Sequence, residues 1–281
     1  MASVAASNDK IDNISLRLAG VKGDGMKVDD VFVYGQVSNC SEHIIYFGGD
    51  VQDYPENMER HRDNKRYVTW NSENTAALIH RKFPSSLVFV IKPSKMHLLT
   101  FAVYSNFIET NDFGSPVHSS DHGAIRHLSC LYNAAVKEVN SRTGGSIQPS
   151  CPLRLIGFSK GCTVLNQLVF ELHLLDQNPQ LKQFIKKIKA FYWLDGGHSG
   201  GKDNTWITDD EPLRHLASLD SEIYIHVTPY QINDPLRKWI GQQEAKFCKK
   251  LKGFNARVVE KVHFGNEPGS INNHFKVLEA F

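Results

Sequence analysis

An α/β fold with a mostly parallel central sheet is what this 281-residue sequence predicts, and two observations predict it. Short apolar runs ending in Gly or Asp recur along the chain, the pattern of strands buried on both faces. Between them lie helix-sized segments with apolar residues at helical spacing. A composition of 41% hydrophobic and 22% charged residues supplies enough core for a single domain over residues 11–281, with residues 1–10 expected to be flexible.

In chain order, "ISLRLAG" (14–20) and "VFVYGQV" (31–37) predict an antiparallel N-terminal strand pair. Buried strands follow at "HIIYFGG" (43–49), "SLVFVIK" (86–92), "LRLIGF" (153–158), "IKAFYWLDGG" (188–197), "EIYIHVTPY" (222–230) and "ARVVEKVHF" (256–264). Helices are expected on both faces, from "SENTAALIHRKF" (72–83, Ser72 as its cap), "DHGAIRHLSCLYNAAVKEV" (121–139), "CTVLNQLVFELHLL" (162–175) and "DPLRKWIGQQEAKFCKKL" (234–251). In the third of these, Val164, Leu165, Leu168, Leu172 and Leu175 define the apolar stripe. Ligands of such sheets bind at the carboxyl ends of the strands.

Several function classes fall away on composition. A formal net charge of +2, with no basic stripe interleaved with aromatics, argues against nucleic acid. No window approaches the roughly 18 apolar residues of a membrane span, so no integral membrane segment is expected. The five cysteines form no C-x-x-C pair, which argues against zinc or disulfide exchange and for a reducing compartment. "GGHSGGKD" (196–203) misses the phosphate-cradling G-x-x-x-x-G-K-[ST] pattern because Asp203 replaces the Mg²⁺-binding hydroxyl. "HSSDHGAIRH" (118–127) reads as a solvated polar segment in preference to a metal site. No cofactor and no metal are expected.

Gly157-Phe158-Ser159-Lys160-Gly161 fits G-x-S-x-G and sits between a predicted strand and a predicted helix. That context makes Ser159 a candidate nucleophile on a strained strand-to-helix turn. A serine hydroxyl needs a base, and the base needs an acid to hold its tautomer. His274, after the last strand, is the expected base, with His263 as the alternative. Asp234, after the penultimate strand, is the expected acid, with Asp195 as the alternative. The oxyanion donors are expected from the backbone of Lys160 and of the Gly48–Gly49 loop. Asp50 follows that loop, and a carboxylate facing the site would oppose a developing oxyanion.

"FGGDVQDY", "VIKPSKMHL", "LIGFSKGC", "YWLDGGHSGG", "HVTPYQINDPLRKWIG" and "SINNHFKV" together resemble an α/β-hydrolase-like family. That family includes a human mitochondrial protein named for an open reading frame of chromosome 2. The resemblance covers roughly residues 43–281. It implies an α/β-hydrolase-like fold, a serine-hydrolase or lipase-like activity without a settled substrate, and mitochondrial residence. By position it places the nucleophile on Ser159, the glycine-rich loop on Gly48 and Gly49, and the terminal histidine on His274, leaving the acid open between Asp234 and Asp195. The N-terminus "MASVAASNDK" lacks the arginines of a transit peptide, so the cytoplasm is the alternative compartment.

Two functions follow as expectations. One is hydrolysis of a small-molecule acyl ester or thioester, with the aromatic segment from Met96 to Ser120 (Phe101, Tyr104, Phe107, Phe113) covering the site or an acyl chain. The other is a hydrolase-fold adaptor that binds a protein partner.

Overall fold

The computed structural model describes residues 13–38, 40–198, 200–202 and 204–281. The segment 1–10, expected to be flexible, and Asp203 of the near-miss phosphate motif lie outside the described residues. One sheet holds eight strands, here numbered β1 (Asn13–Lys22), β2 (Val28–Gln36), β3 (Glu42–Phe47), β4 (Ser86–Ile91), β5 (Leu153–Phe158), β6 (Ile188–Leu194), β7 (Glu222–Val227) and β8 (Arg257–Val262). Their order is β1-β2-β4-β3-β5-β6-β7-β8. The pairs β1/β2 and β2/β4 are antiparallel, and every pair from β4/β3 to β7/β8 is parallel.

Strand alternation splits the core in two. Ile45 and Phe47 face one layer while Ile44 and Tyr46 face the other, so both sheet faces must be covered. The first layer is closed by α2 (Ala124–Thr143), α3 (Cys162–Phe170), α4 (Pro179–Lys186), α5 (Asp210–Ala217) and α6 (Trp239–Gly253); the second by α1 (Ser72–Lys82) and α7 (Ile271–Ala280). Each fully buried Leu, Ile or Phe in these layers contributes roughly 1.5–3 kcal/mol.

Several helix boundaries differ from the sequence expectation, three of them for a clear local reason. Asn71 caps α1 in place of Ser72, its side chain accepting the Asn74 N–H at 2.8 Å. The third helix stops at Phe170 because Glu171 turns its buried carboxylate to the start of α2. There it takes the N–H groups of Gly123, Ala124 and Ile125 at 2.9, 2.9 and 3.0 Å, satisfying donors that have no partner within the helix. The fourth helix starts at Trp239, not Asp234, because the Asp234 side chain caps its own turn at the Leu236 N–H, 2.8 Å away.

The segment expected to cover the site splits between two roles. Tyr104 and Phe107 are buried in the core against Phe47, which removes them from any acyl-chain surface. Phe113 is exposed, and its carbonyl accepts from the Lys160 ammonium. Of the histidine-rich stretch, His127 is fully buried and paired with Asp29 at 2.6 Å, while His118 stacks on Phe170.

Candidate active site

The turn between β5 and α3 explains the glycines of its motif. Ser159 holds φ at 51°, a left-handed conformation that L-residues adopt only under constraint. A Cβ on Gly161 would lie 2.0 Å from the Phe47 carbonyl oxygen, and one on Gly157 would lie 2.9 Å from the Cys162 nitrogen. Only glycine permits strand, turn and helix to approach this closely. The loop after β3 presses on the same point, since a Cβ on Gly49 would lie 2.7 Å from Ser159 Cβ.

His274 is the fourth residue of α7, a helix capped by Ser270. Its ring is buried between Phe158 and Tyr230, with centroids 4.7 and 4.9 Å away. Its Nδ1 meets Asp195 Oδ2 at 2.7 Å. A donor at Nδ1 leaves the Nε2 lone pair as the basic site of the neutral ring. Asp195 follows β6 with φ at 46° and is fully buried. Thr228, after β7, donates its N–H to Asp195 Oδ1 and its hydroxyl to Oδ2, both at 2.7 Å.

The acid expected from the sequence, Asp234, is therefore not the one beside His274. It binds Arg237 Nε at 2.7 Å. Burial pushes its carboxyl up, but the Arg237 bond and the Leu236 N–H outweigh burial and hold it below the usual carboxylate range. The alternative base, His263, pairs with His226 at 2.7 Å and is absent from the cleft that Ser159 lines. Burial and the nearby Lys261 lower its pKa to about 4.

Ser159 and His274 line one cleft of about 210 Å³ together with Asp50, His198, Gln231 and Arg237. A larger hollow of about 550 Å³ between Leu172, Ile188 and Ser221 lies at the opposite ends of the strands, away from Ser159.

The glycine-rich loop differs from expectation in one amide. The Gly49 N–H donates to Gln52 Oε1 at 3.0 Å, and Gln52 is itself buried and held by Tyr46, Trp70 and Thr75. The N–H that follows, on Asp50, has no acceptor among the described residues. Lys160 is the second residue of the turn before α3, where N–H groups lack intrahelical partners. The Asp50 carboxylate accepts the Ala102 N–H at 2.8 Å and pairs with the Lys160 ammonium at 2.9 Å. Burial raises its pKa while Lys160 lowers it. Sequence reasoning missed Gln52, Thr228, Arg237 and the Lys160 side chain, because their roles depend on partners brought in by other elements.

A strained serine at the carboxyl end of the fifth strand and a histidine held by a buried aspartate define the class: this is an α/β-hydrolase fold. Solved esterases share it. Carboxyl esterase 2 of the fungus Tuber melanosporum matches at TM-score 0.51 and 14% identity, over 97% of this chain and 88% of that one. Esterase Est22 matches at TM-score 0.51 and 14% identity, over 95% and 75%.

The chain belongs to the C2orf69 family, whose model matches residues 2–151 and 146–257. It is 38% identical over 291 residues to the mitochondrial protein C2orf69 homolog of Danio rerio, covering 95% of this chain and 85% of that one. To mitochondrial protein C2orf69 of Homo sapiens it is 40% identical over 285 residues, covering 85% and 74%.

Proposed function

We propose that this protein is a serine hydrolase of esters or thioesters, with Ser159 as nucleophile, His274 as base and Asp195 as acid. The observation that carries the reading is the Thr228–Asp195–His274 relay ending in the cleft lined by Ser159. Ser159 Oγ attacks the acyl carbon while His274 Nε2 takes its proton. The bond to the leaving alcohol or thiol then breaks, and that proton passes to the leaving group. Water, deprotonated by His274, then attacks the acyl carbon; the bond to Ser159 Oγ breaks, the acid leaves, and His274 returns the proton to Oγ. The amides of Lys160 and Asp50 are the oxyanion donors, in place of the Gly49 amide engaged by Gln52. Its relatives carry the name mitochondrial protein, and we assign the same compartment.

The adaptor reading draws on Asp50, whose carboxylate lines the cleft. Lys160 offsets that charge, which favours the enzyme. A fluorophosphonate probe decides: labelling of wild type but not of Ser159→Ala supports the hydrolase, and a folded wild type that resists labelling overturns it.

A further inference from the structure

Gln231 is 3% exposed and lines the cleft beside Ser159 and His274, yet its Oε1 has no hydrogen-bond partner among the described residues. A buried acceptor without a partner is costly to maintain. Its position is built into the fold, because the carboxamide packs flat on Gly197. A Cβ there would lie 2.3 Å from its Cδ, Nε2 and Oε1 alike. Arg237 lines the same cleft. It gives Nε to Asp234 and Nη1 to the His198 carbonyl at 2.7 and 3.3 Å, and its Nη2 has no partner among the described residues.

Charge is already balanced at this place, Asp234 against Arg237 and Asp50 against Lys160. The groups left without a partner include the Gln231 Oε1 acceptor and the Arg237 Nη2 donor, besides the Asp50 N–H assigned to the oxyanion. A carboxylate cannot donate to Gln231 Oε1, and an alkyl chain satisfies neither group. A secondary amide satisfies both, its N–H meeting Gln231 and its C=O meeting Arg237.

We propose that the substrate carries a secondary amide close to the scissile ester or thioester, and that Gln231 and Arg237 form the subsite that reads it. This rests on the hydrolase reading and names its substrate class. The rejection of analogues follows from the same physics, since a substrate lacking the N–H leaves the buried acceptor orphaned.

The test uses Ser159→Ala protein, which binds without turnover, and three esters of equal length. These are N-acetylglycine methyl ester, methyl 4-oxopentanoate (the N–H replaced by CH₂) and methyl pentanoate (both polar groups removed), titrated by calorimetry. The amide is expected to bind roughly tenfold more tightly than the ketone, one hydrogen bond's worth of affinity, and the pentanoate more weakly still. Adding Gln231→Leu is expected to bring the amide-to-ketone ratio to near one. Gly197→Ala, which displaces the carboxamide, is expected to do the same if Gln231→Leu does not fold. Equal affinity for amide and ketone, a ratio unmoved by either variant, or no measurable binding of any ester overturns the proposal. Fluorophosphonate labelling of the wild type separates the two claims. A labelled protein with no amide preference loses this subsite and keeps the hydrolase reading.

Discussion

Asp195 and His274 meet at 2.7 Å across 79 residues of sequence, and both oxygens of Asp195 are also held by Thr228. A carboxylate with three donors cannot swing away, so the imidazole keeps one tautomer and one orientation.

Asp195→Asn should therefore lower ester hydrolysis or fluorophosphonate labelling by roughly a thousandfold or more, because the amide stabilises the wrong tautomer. Asp234→Asn, whose partner is Arg237, should cost less than about tenfold. Rates of the two variants in the reverse order would sink the assignment of Asp195.

The left-handed turn at Ser159 stores strain that glycine would release. Ser159→Gly should be more stable than Ser159→Ala by about 1 kcal/mol, or roughly 2–4 °C in Tm for a domain of this size. Alanine keeps the Cβ that makes the conformation costly. Equal melting temperatures would show that the turn is unstrained.

The parts of this site that were legible in the sequence are those with local causes. The elbow could be read because Gly157 and Gly161 are required by contacts within a few residues or with the adjoining strand, and the strands because β3, β4, β5 and β6 are apolar almost without interruption. Which aspartate stands beside His274 could not be read. Asp195 and Asp234 both follow strand ends, and what separates them is Thr228, just past β7, which holds Asp195, and Arg237, one turn further on, which holds Asp234. The engagement of the Gly49 amide is illegible for the same kind of reason, since nothing local to "FGGD" shows that Gln52 folds back to take it.

Lys160 ties three segments together at a site where its ammonium is almost wholly buried: its own turn, Asp50, and the Phe113 carbonyl. Lys160→Met should destabilise the protein by about 3 kcal/mol, mostly by leaving the Asp50 carboxylate unpaired. Asp50→Asn in the same chain should restore part of that loss. Urea midpoints for the two single variants and the double variant check this, and strict additivity would show that the pair is not coupled.

Acid should weaken the fold through histidines that are buried neutral. His43 is fully buried, with Nδ1 2.6 Å from the Tyr132 hydroxyl, and burial, aided by Lys187, lowers its pKa to about 4. An unfolded imidazole titrates near about 6.5. Between those values the unfolded chain binds the extra proton. The stability that neutral His43 contributes is therefore complete above about pH 6.5, falls as pH drops, and is lost near pH 4. One such group is worth on the order of 3 kcal/mol. His198, His226 and His263 shift in the same direction, which steepens the fall. Urea unfolding between pH 7 and pH 4.5 should show this loss, and His43→Gln, which cannot take up a proton, should flatten the slope by up to one proton equivalent. A slope the same in both proteins would mean that His43 does not titrate differently on unfolding.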